Sequence, residues 1–169
     1  MKTTLKIFTL TAILFGFATI SYAQSSADGT ASAGANILTA LSISKVTDLH
    51  FGDMVSQTAG FTVTLPTTGT RSSSNEAALI NGNTNVSVAE FKVDGHGSQK
   101  FKIELPTTVT IKNDDDEEMT VTGWNHDAGS APALSSGTKN FKVGATLNVG
   151  AEQAVGEYTG TFDVTVTYE

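Results

Sequence analysis

The 169-residue sequence has no cysteine, only three prolines, and no long apolar stretch beyond its first twenty residues. Without cysteine there is neither a disulfide nor a thiol near the N-terminus to carry a lipid, so a folded domain must be held by its core alone. Basic residues are scarce, with 10 Lys and Arg against 17 Asp and Glu. This argues against nucleic acid or an anionic membrane as partner, because both need clustered cations to displace counterions. Long helix-forming stretches are missing, and no repeat of about 20 to 50 residues marks a solenoid or propeller.

What is present begins with a secretory signal. Lys2 and Lys6 form a positive end, Ile7 to Ile20 an apolar run, and Ser21-Tyr22-Ala23 a small-x-small exit before Gln24. Residues 1–23 are therefore expected to be a signal peptide cleaved after Ala23. The run is 14 residues long, whereas about 20 are needed to span a bilayer as a helix. Removing 23 residues from 169 leaves 146, with 8 basic and 17 acidic residues and a formal charge of −9. That is the size of one domain with a proper core.

Along this mature chain, apolar residues recur at every second position, the period of a strand with one buried face. Ile37, Leu41 and Ile43 share one phase, as do Phe61, Val63 and Leu65; Ala89, Phe91 and Val93; and Phe101, Ile103 and Leu105. Val109 with Ile111, Met119 with Val121, then Phe141, Val143, Leu147 and Val149 continue the series, and Tyr158, Phe162, Val164, Val166 and Tyr168 end it. Turn residues separate these runs at Gly69, Asn81-Gly82-Asn83, Asp94 to Gly97, Gly129 to Pro132, Ser136-Gly137 and Gly150. Eight or nine short strands predict an all-β, immunoglobulin-like antiparallel β-sandwich over residues 37–169, with a jelly roll or small barrel as the alternative. Phe91, Phe101, Ile103, Phe141, Val143, Leu147, Phe162 and Val164 are the expected core.

No constellation for catalysis stands out. The run Asp114-Asp115-Asp116-Glu117-Glu118 has carboxylates for calcium but lacks the Gly and distal Glu of a calcium loop, and reads as a solvated hairpin tip. His50, His96 and His126 lie in separate segments without metal-ligand spacing. There is no nucleophile elbow, phosphate loop or metalloprotease helix, so the expectation is a non-enzyme with no catalytic residues, cofactor or metal. Trp124, followed by Asn125, His126 and Asp127, has the makings of a sugar-stacking site but is first of all apolar area for packing.

The two ends of the mature chain carry more. Gly156, Tyr158, Phe162, Val164, Val166 and Tyr168 share one face of the last segment, with Gly156 fourteenth from the C-terminus and Tyr168 penultimate. This resembles the C-terminal signature of chaperone-usher pilins, which implies a strand that a periplasmic chaperone pairs with. An ordinary last sandwich strand has the same period. In residues 24–36 the odd positions read Ala27, Gly29, Ala31, Ala33 and Ala35, leading into Ile37, and the even positions are polar or Gly. Ala31, Ala33, Ala35 and Ile37 make a candidate donor strand that completes a neighbour's sheet; the alternative is a flexible Ala/Ser/Gly linker.

Three further stretches, Leu49-His50-Phe51-Gly52, Phe141 to Leu147 and Gly156 to Phe162, resemble the domain of unknown function 4402 family of exported bacterial proteins. That resemblance, across residues 35–168, implies a Gram-negative source and a β-sandwich, and it transfers no activity. Unlike common pilins, the chain has no disulfide. The functional expectation is a structural fimbria-like or cell-surface assembly subunit, exported to the periplasm, outer surface or medium. Its expected partners are other copies or other surface subunits, with a periplasmic chaperone and an outer-membrane usher. The competing reading is a self-contained secreted binding module, with carbohydrate held near Trp124, and a hydrolase is the remote one.

Overall fold

A computed structural model describes residues 25–80, 82 and 85–169. The expected signal peptide and the Asn81 and Asn83 turn positions lie outside the described residues. The chain divides into two units, Met1–Ala35 and Asn36–Glu169. In the first, residues 25–35 are exposed and carry no regular secondary structure.

The second unit is an antiparallel β-sandwich, with nine strands among the described residues: β1 Ser42–Thr47, β2 Phe61–Leu65, β3 Ser72–Ser73, β4 Ala89–Asp94, β5 Phe101–Glu104, β6 Val109–Lys112, β7 Glu118–His126, β8 Thr138–Val149 and β9 Thr165–Tyr168. Among the described residues a single 3-10 turn, Glu76–Ala78, is the other regular element. Seven strands form one sheet in the order β1-β4-β8-β2-β3, with β7 and then β6 added on the other side of β8; β5 and β9 form the second sheet. The sheets do not close on themselves, which sets aside the small barrel.

The long strand β8 organises the sandwich. Its first half pairs with β4, from Thr138↔Asp94 to Val143↔Ala89, and its second half pairs with β2, from Ala145↔Leu65 to Val149↔Phe61. Gly144 sits where the partner changes. A Cβ there would lie 2.5 Å from the Leu65 carbonyl oxygen and 2.9 Å from the Pro66 carbonyl carbon, so the end of β2 can turn away only over a residue with no side chain. Phe141-Lys142-Val143-Gly144-Ala145-Thr146-Leu147 is thus the stretch that lets one strand serve two neighbours.

The alternating side chains of β8 feed two core clusters. One gathers Phe51, Phe61, Val63, Leu65, Ala78, Met119, Val121, Ala145, Leu147 and Val149. The other gathers Ala89, Val93, Phe101, Leu134, Phe141 and Val143, with Phe162, Val164, Val166 and Tyr168 packed against it. Of the eight residues expected in the core, Phe101, Phe141, Val143 and Leu147 are buried. Phe91, Ile103, Phe162 and Val164 are only half-buried; Phe91 and Phe162 face a groove with no strand over it, and Ile103 lies on a sheet of two strands.

The first and last segments also depart from expectation. Leu41 and Ile43 pack on the second cluster, but Ile37, in the same phase, is 96% exposed and precedes the strand. The C-terminal run forms a ladder over Thr165–Tyr168 alone; from Gly156 to Val164 the backbone has one bridge, Thr159↔Lys112.

Candidate functional site

Two of the half-buried residues, Phe91 and Phe162, share a location. A groove of about 850 Å³ opens between residues 47–56 on one wall and 153–162 on the other, and its floor includes Phe91, Ile111, Val121, Trp124 and Leu147. Leu49 and Trp124 pack against both core clusters, so the groove lies on the seam between them. Of its floor, Phe91, Ile111 and Trp124 are half-buried while Val121 and Leu147 are buried beneath them.

The first wall is built by Leu49-His50-Phe51-Gly52 and its supports. His50 exchanges both backbone hydrogen bonds with Ser87, at 2.8 and 3.0 Å, and its Nδ1 accepts the Gly52 N–H at 2.9 Å. Phe51 drops into the core. Arg71 holds the wall from behind, its guanidinium donating to the carbonyls of Phe51 at 2.7 Å, Asp53 at 3.1 Å and Ile80 at 2.6 Å. Five fixed donors on a planar group suit such a three-carbonyl clamp, which a lysine could not reproduce. Because His50 uses its backbone groups on Ser87, those of Leu49 point the other way, toward the groove.

The second wall is the C-terminal segment. Gly156 has φ of +152° and a Cβ there would come within 3.2 Å of the Asn113 side chain, so this position accepts glycine alone. Tyr158 packs on the first cluster, donates from its hydroxyl to the Ala154 carbonyl at 2.8 Å and accepts from Gln153 Nε2 at 2.9 Å. Thr159 exchanges hydrogen bonds with Lys112 at 2.8 and 2.9 Å. That leaves the groups of Tyr158 and Gly160 facing the groove. Among the described residues no backbone hydrogen bond reaches Gly160, Thr161 or Phe162. Phe162 instead makes ring contacts with Trp124, centroids 4.5 Å apart, and edge-on with Phe91 at 6.0 Å.

The walls run antiparallel and meet at one end, where the Glu152 N–H donates to the Gln57 carbonyl at 2.7 Å and the Ser56 hydroxyl to the Gln153 carbonyl at 2.8 Å. The other end, between Thr47 and Phe162, is open. The walls are extended segments tied to the sheet by isolated bridges at His50, Met54 and Thr159, and an apolar floor between two such segments suits an added β-strand, whose alternate side chains the floor takes.

The structure places the other candidates as follows. Val164, Val166 and Tyr168 continue from Phe162 onto the second cluster; the Tyr168 hydroxyl donates to the Thr39 carbonyl and accepts the His96 N–H, both at 2.7 Å. Ala31, Ala33 and Ala35 are exposed. The Trp124 indole donates to the Val121 carbonyl at 3.3 Å and is half-buried in the groove, a packed ring and not a projecting platform. His126 stands edge-on to Phe141, centroids 6.1 Å apart.

The acidic run is the tip of the β6–β7 hairpin. Buried Asn113 organises it, its Oδ1 accepting the N–H groups of Asp115 at 3.1 Å and Glu117 at 2.8 Å. Asp114 to Glu118 are exposed, and Lys112 lies 2.8 Å from Glu118, whose hydrogen bond and charge raise the lysine pKa. Among the described residues no group of three or more His, Asp or Glu is set to hold a metal ion. On the solvated-tip reading, thermal melts in millimolar calcium and in chelator should superimpose, because an ion bound only to the native state would raise the melting temperature. A rise abolished by Asp115→Asn and Asp116→Asn would overturn the solvated-tip reading.

Phe51, Arg71 and Gln153 were not marked by the period-2 pattern, since each acts through long-range packing or main-chain contacts. The only signal for Phe51 was the Leu49-to-Gly52 stretch itself. No curated protein matches the chain. The sequence profile of the family described as "Domain of unknown function (DUF4402)" matches residues 41–168, a span that contains all nine strands and both walls of the groove, and the chain belongs to that family.

Proposed function

We propose that this protein is a structural, non-catalytic subunit of a fimbria-like or cell-surface assembly, exported by the signal at residues 1–23 and joined to its neighbours by β-strand addition. The observation that carries the reading is the groove between residues 47–56 and 153–162, whose floor borders the core and whose walls are extended segments held by isolated bridges. An exposed sheet edge over apolar surface is a liability in an isolated protein and an assembly site when a strand fills it. The occupant in the assembly is the 24–36 extension of another copy, with Ala31, Ala33, Ala35 and Ile37 turned to the floor. A periplasmic chaperone would pair with the same open C-terminal strand before assembly.

The test uses a synthetic peptide of residues 27–38 added to the chain lacking residues 24–36. Binding to the folded state at 100 times Kd should stabilise it by about 2.7 kcal/mol, a rise of several degrees in melting temperature. The emission of Trp124, the sole tryptophan, should shift as its ring becomes covered. A peptide that changes neither melting temperature nor emission would sink the reading; a shift on adding oligosaccharide instead would favour the binding module.

A further inference from the structure

Among the described residues, a single hydrogen bond reaches the whole stretch 25–40: the Tyr168 hydroxyl donates to the Thr39 carbonyl at 2.7 Å. All residues of that stretch are exposed and none belongs to a strand; the ladder with β4 begins only at Ser42. The same hydroxyl accepts the His96 N–H at 2.7 Å, so it is used both as donor and as acceptor.

The surroundings hold that hydroxyl in place. Tyr168 pairs across the second sheet with Phe101, which is fully buried, and its ring packs on the second cluster, as does Leu41. Gly95 lies against both. A Cβ there would stand 2.5 Å from Tyr168 Oη, 2.8 Å from Leu41 Cδ2 and 2.9 Å from Leu134 Cδ1, so the three side chains converge only because position 95 has none. Gly95 is itself fixed, its N–H donating to the Gly137 carbonyl at 2.8 Å, and the Gly137 N–H donating to the Gly97 carbonyl at 2.7 Å.

Tyr168 ends the C-terminal run whose earlier part, residues 153–162, is a wall of the groove. On the strand-addition reading, one short segment therefore receives a neighbour's extension and holds the root of its own. We infer that Tyr168 is a positioning residue for assembly: its hydroxyl fixes the point at which the extension leaves the domain, and so limits the swivel between a subunit and the neighbour whose groove that extension fills. This rests on the strand-addition reading. An arm rooted in a free Ala/Ser/Gly segment would let successive subunits swing about one another. One held at Thr39 starts from a set place and has less freedom to lose on docking.

The test uses the exported chain carrying Ile37→Cys, the sole cysteine once introduced, with a thiol-linked dye, diluted until monomeric. Ile37 is 96% exposed and stands two residues from the anchored carbonyl. The anisotropy decay of the dye reads nanosecond motion of the arm. Tyr168→Phe keeps the ring and removes the hydroxyl; the slow component that reports tumbling with the domain should be lost while the circular dichroism spectrum is kept. Gly95→Ala leaves the tyrosine intact but places a methyl against its hydroxyl, and should act alike. Asn148→Ala removes three hydrogen bonds between β8 and β7 and should leave the decay as in the parent, which separates the anchor from a general loosening. Without the cysteine, Tyr168→Phe chains should still form polymers, but ones that bend more than wild type in electron micrographs. An unchanged decay in either folded variant would overturn the anchor, and equally stiff polymers would overturn its role in assembly. If wild type forms no polymers and the 27–38 peptide does not bind, the strand-addition reading falls and the assembly role with it, whereas the decay decides the anchor independently.

Discussion

Replacing Phe141 with Ala should lower the unfolding free energy by about 3–5 kcal/mol, the usual range for removing a buried phenyl ring. Phe141 is 2% exposed, stacks on Phe91 with centroids 5.8 Å apart and takes His126 edge-on. It also lies on β8, opposite Phe91 of β4, so the cavity would open at the strand both halves of the large sheet share. The same change at Phe162 should cost less, about 1–2 kcal/mol in the isolated subunit, because a half-covered ring gives back only part of its transfer free energy. Urea unfolding followed by circular dichroism measures both. The midpoint should fall while the slope stays constant, since the surface exposed on unfolding is nearly unchanged. Equal losses at the two positions would mean that Phe162 is already covered and the groove filled. Once a strand is bound over it, Phe162→Ala should cost more than in the free subunit.

That contrast shows what the sequence could and could not reveal. The period of two identified Phe61, Val63 and Leu65 or Phe101 and Ile103 as strand faces, because alternation is a local property of the pleat. It also placed Phe162 and Val164 on the apolar side, correctly as to face. It could not report that the cover over that face is incomplete, since coverage depends on segments far apart in sequence: the stretches 47–57 and 152–162 are joined by the hydrogen bonds Glu152 to Gln57 and Ser56 to Gln153. Phe51 was illegible for a related reason. Leu49 is its one apolar neighbour in phase, since Asp53 follows, and it is buried in a cluster of residues distant in sequence, Phe61, Met119 and Leu147 among them, with Arg71 fixing the backbone around it. Ile37 failed in the opposite sense. Its phase continues through Leu41 to Ile43, but the sheet begins only at Ser42, and an apolar residue kept in phase beyond the end of its own sheet is what a partner's sheet would use.

The largest effect should come from one charge on that extension. Ala33→Asp is expected to abolish polymers of the exported chain, whereas Ser32→Asp, on the opposite face, should leave them intact. If residues 31–37 add to a neighbour's groove, backbone hydrogen bonds to the free edges supply most of the affinity, and the small side chains need only fit the floor. A carboxylate at position 33 would then be pressed between rings and aliphatic carbons, and Lys45, which lines the groove, is already paired with Asp48. A penalty of even about 4 kcal/mol, modest for a desolvated unpaired charge, weakens binding roughly a thousandfold. At position 32 the same carboxylate faces water and loses nothing. Size exclusion with light scattering on wild type, both variants and a deletion of residues 24–34, from cells producing any cognate assembly proteins, measures the outcome. The folded subunit should be unaffected, because residues 25–35 are exposed and lie outside the compact unit Asn36–Glu169; unchanged melting temperatures would show this. Polymers lost in Ala33→Asp and in the deletion but kept in Ser32→Asp separate a strand that inserts by face from one that merely tethers. Four equally stable, monodisperse monomers would make the extension a linker and leave the groove to a soluble ligand.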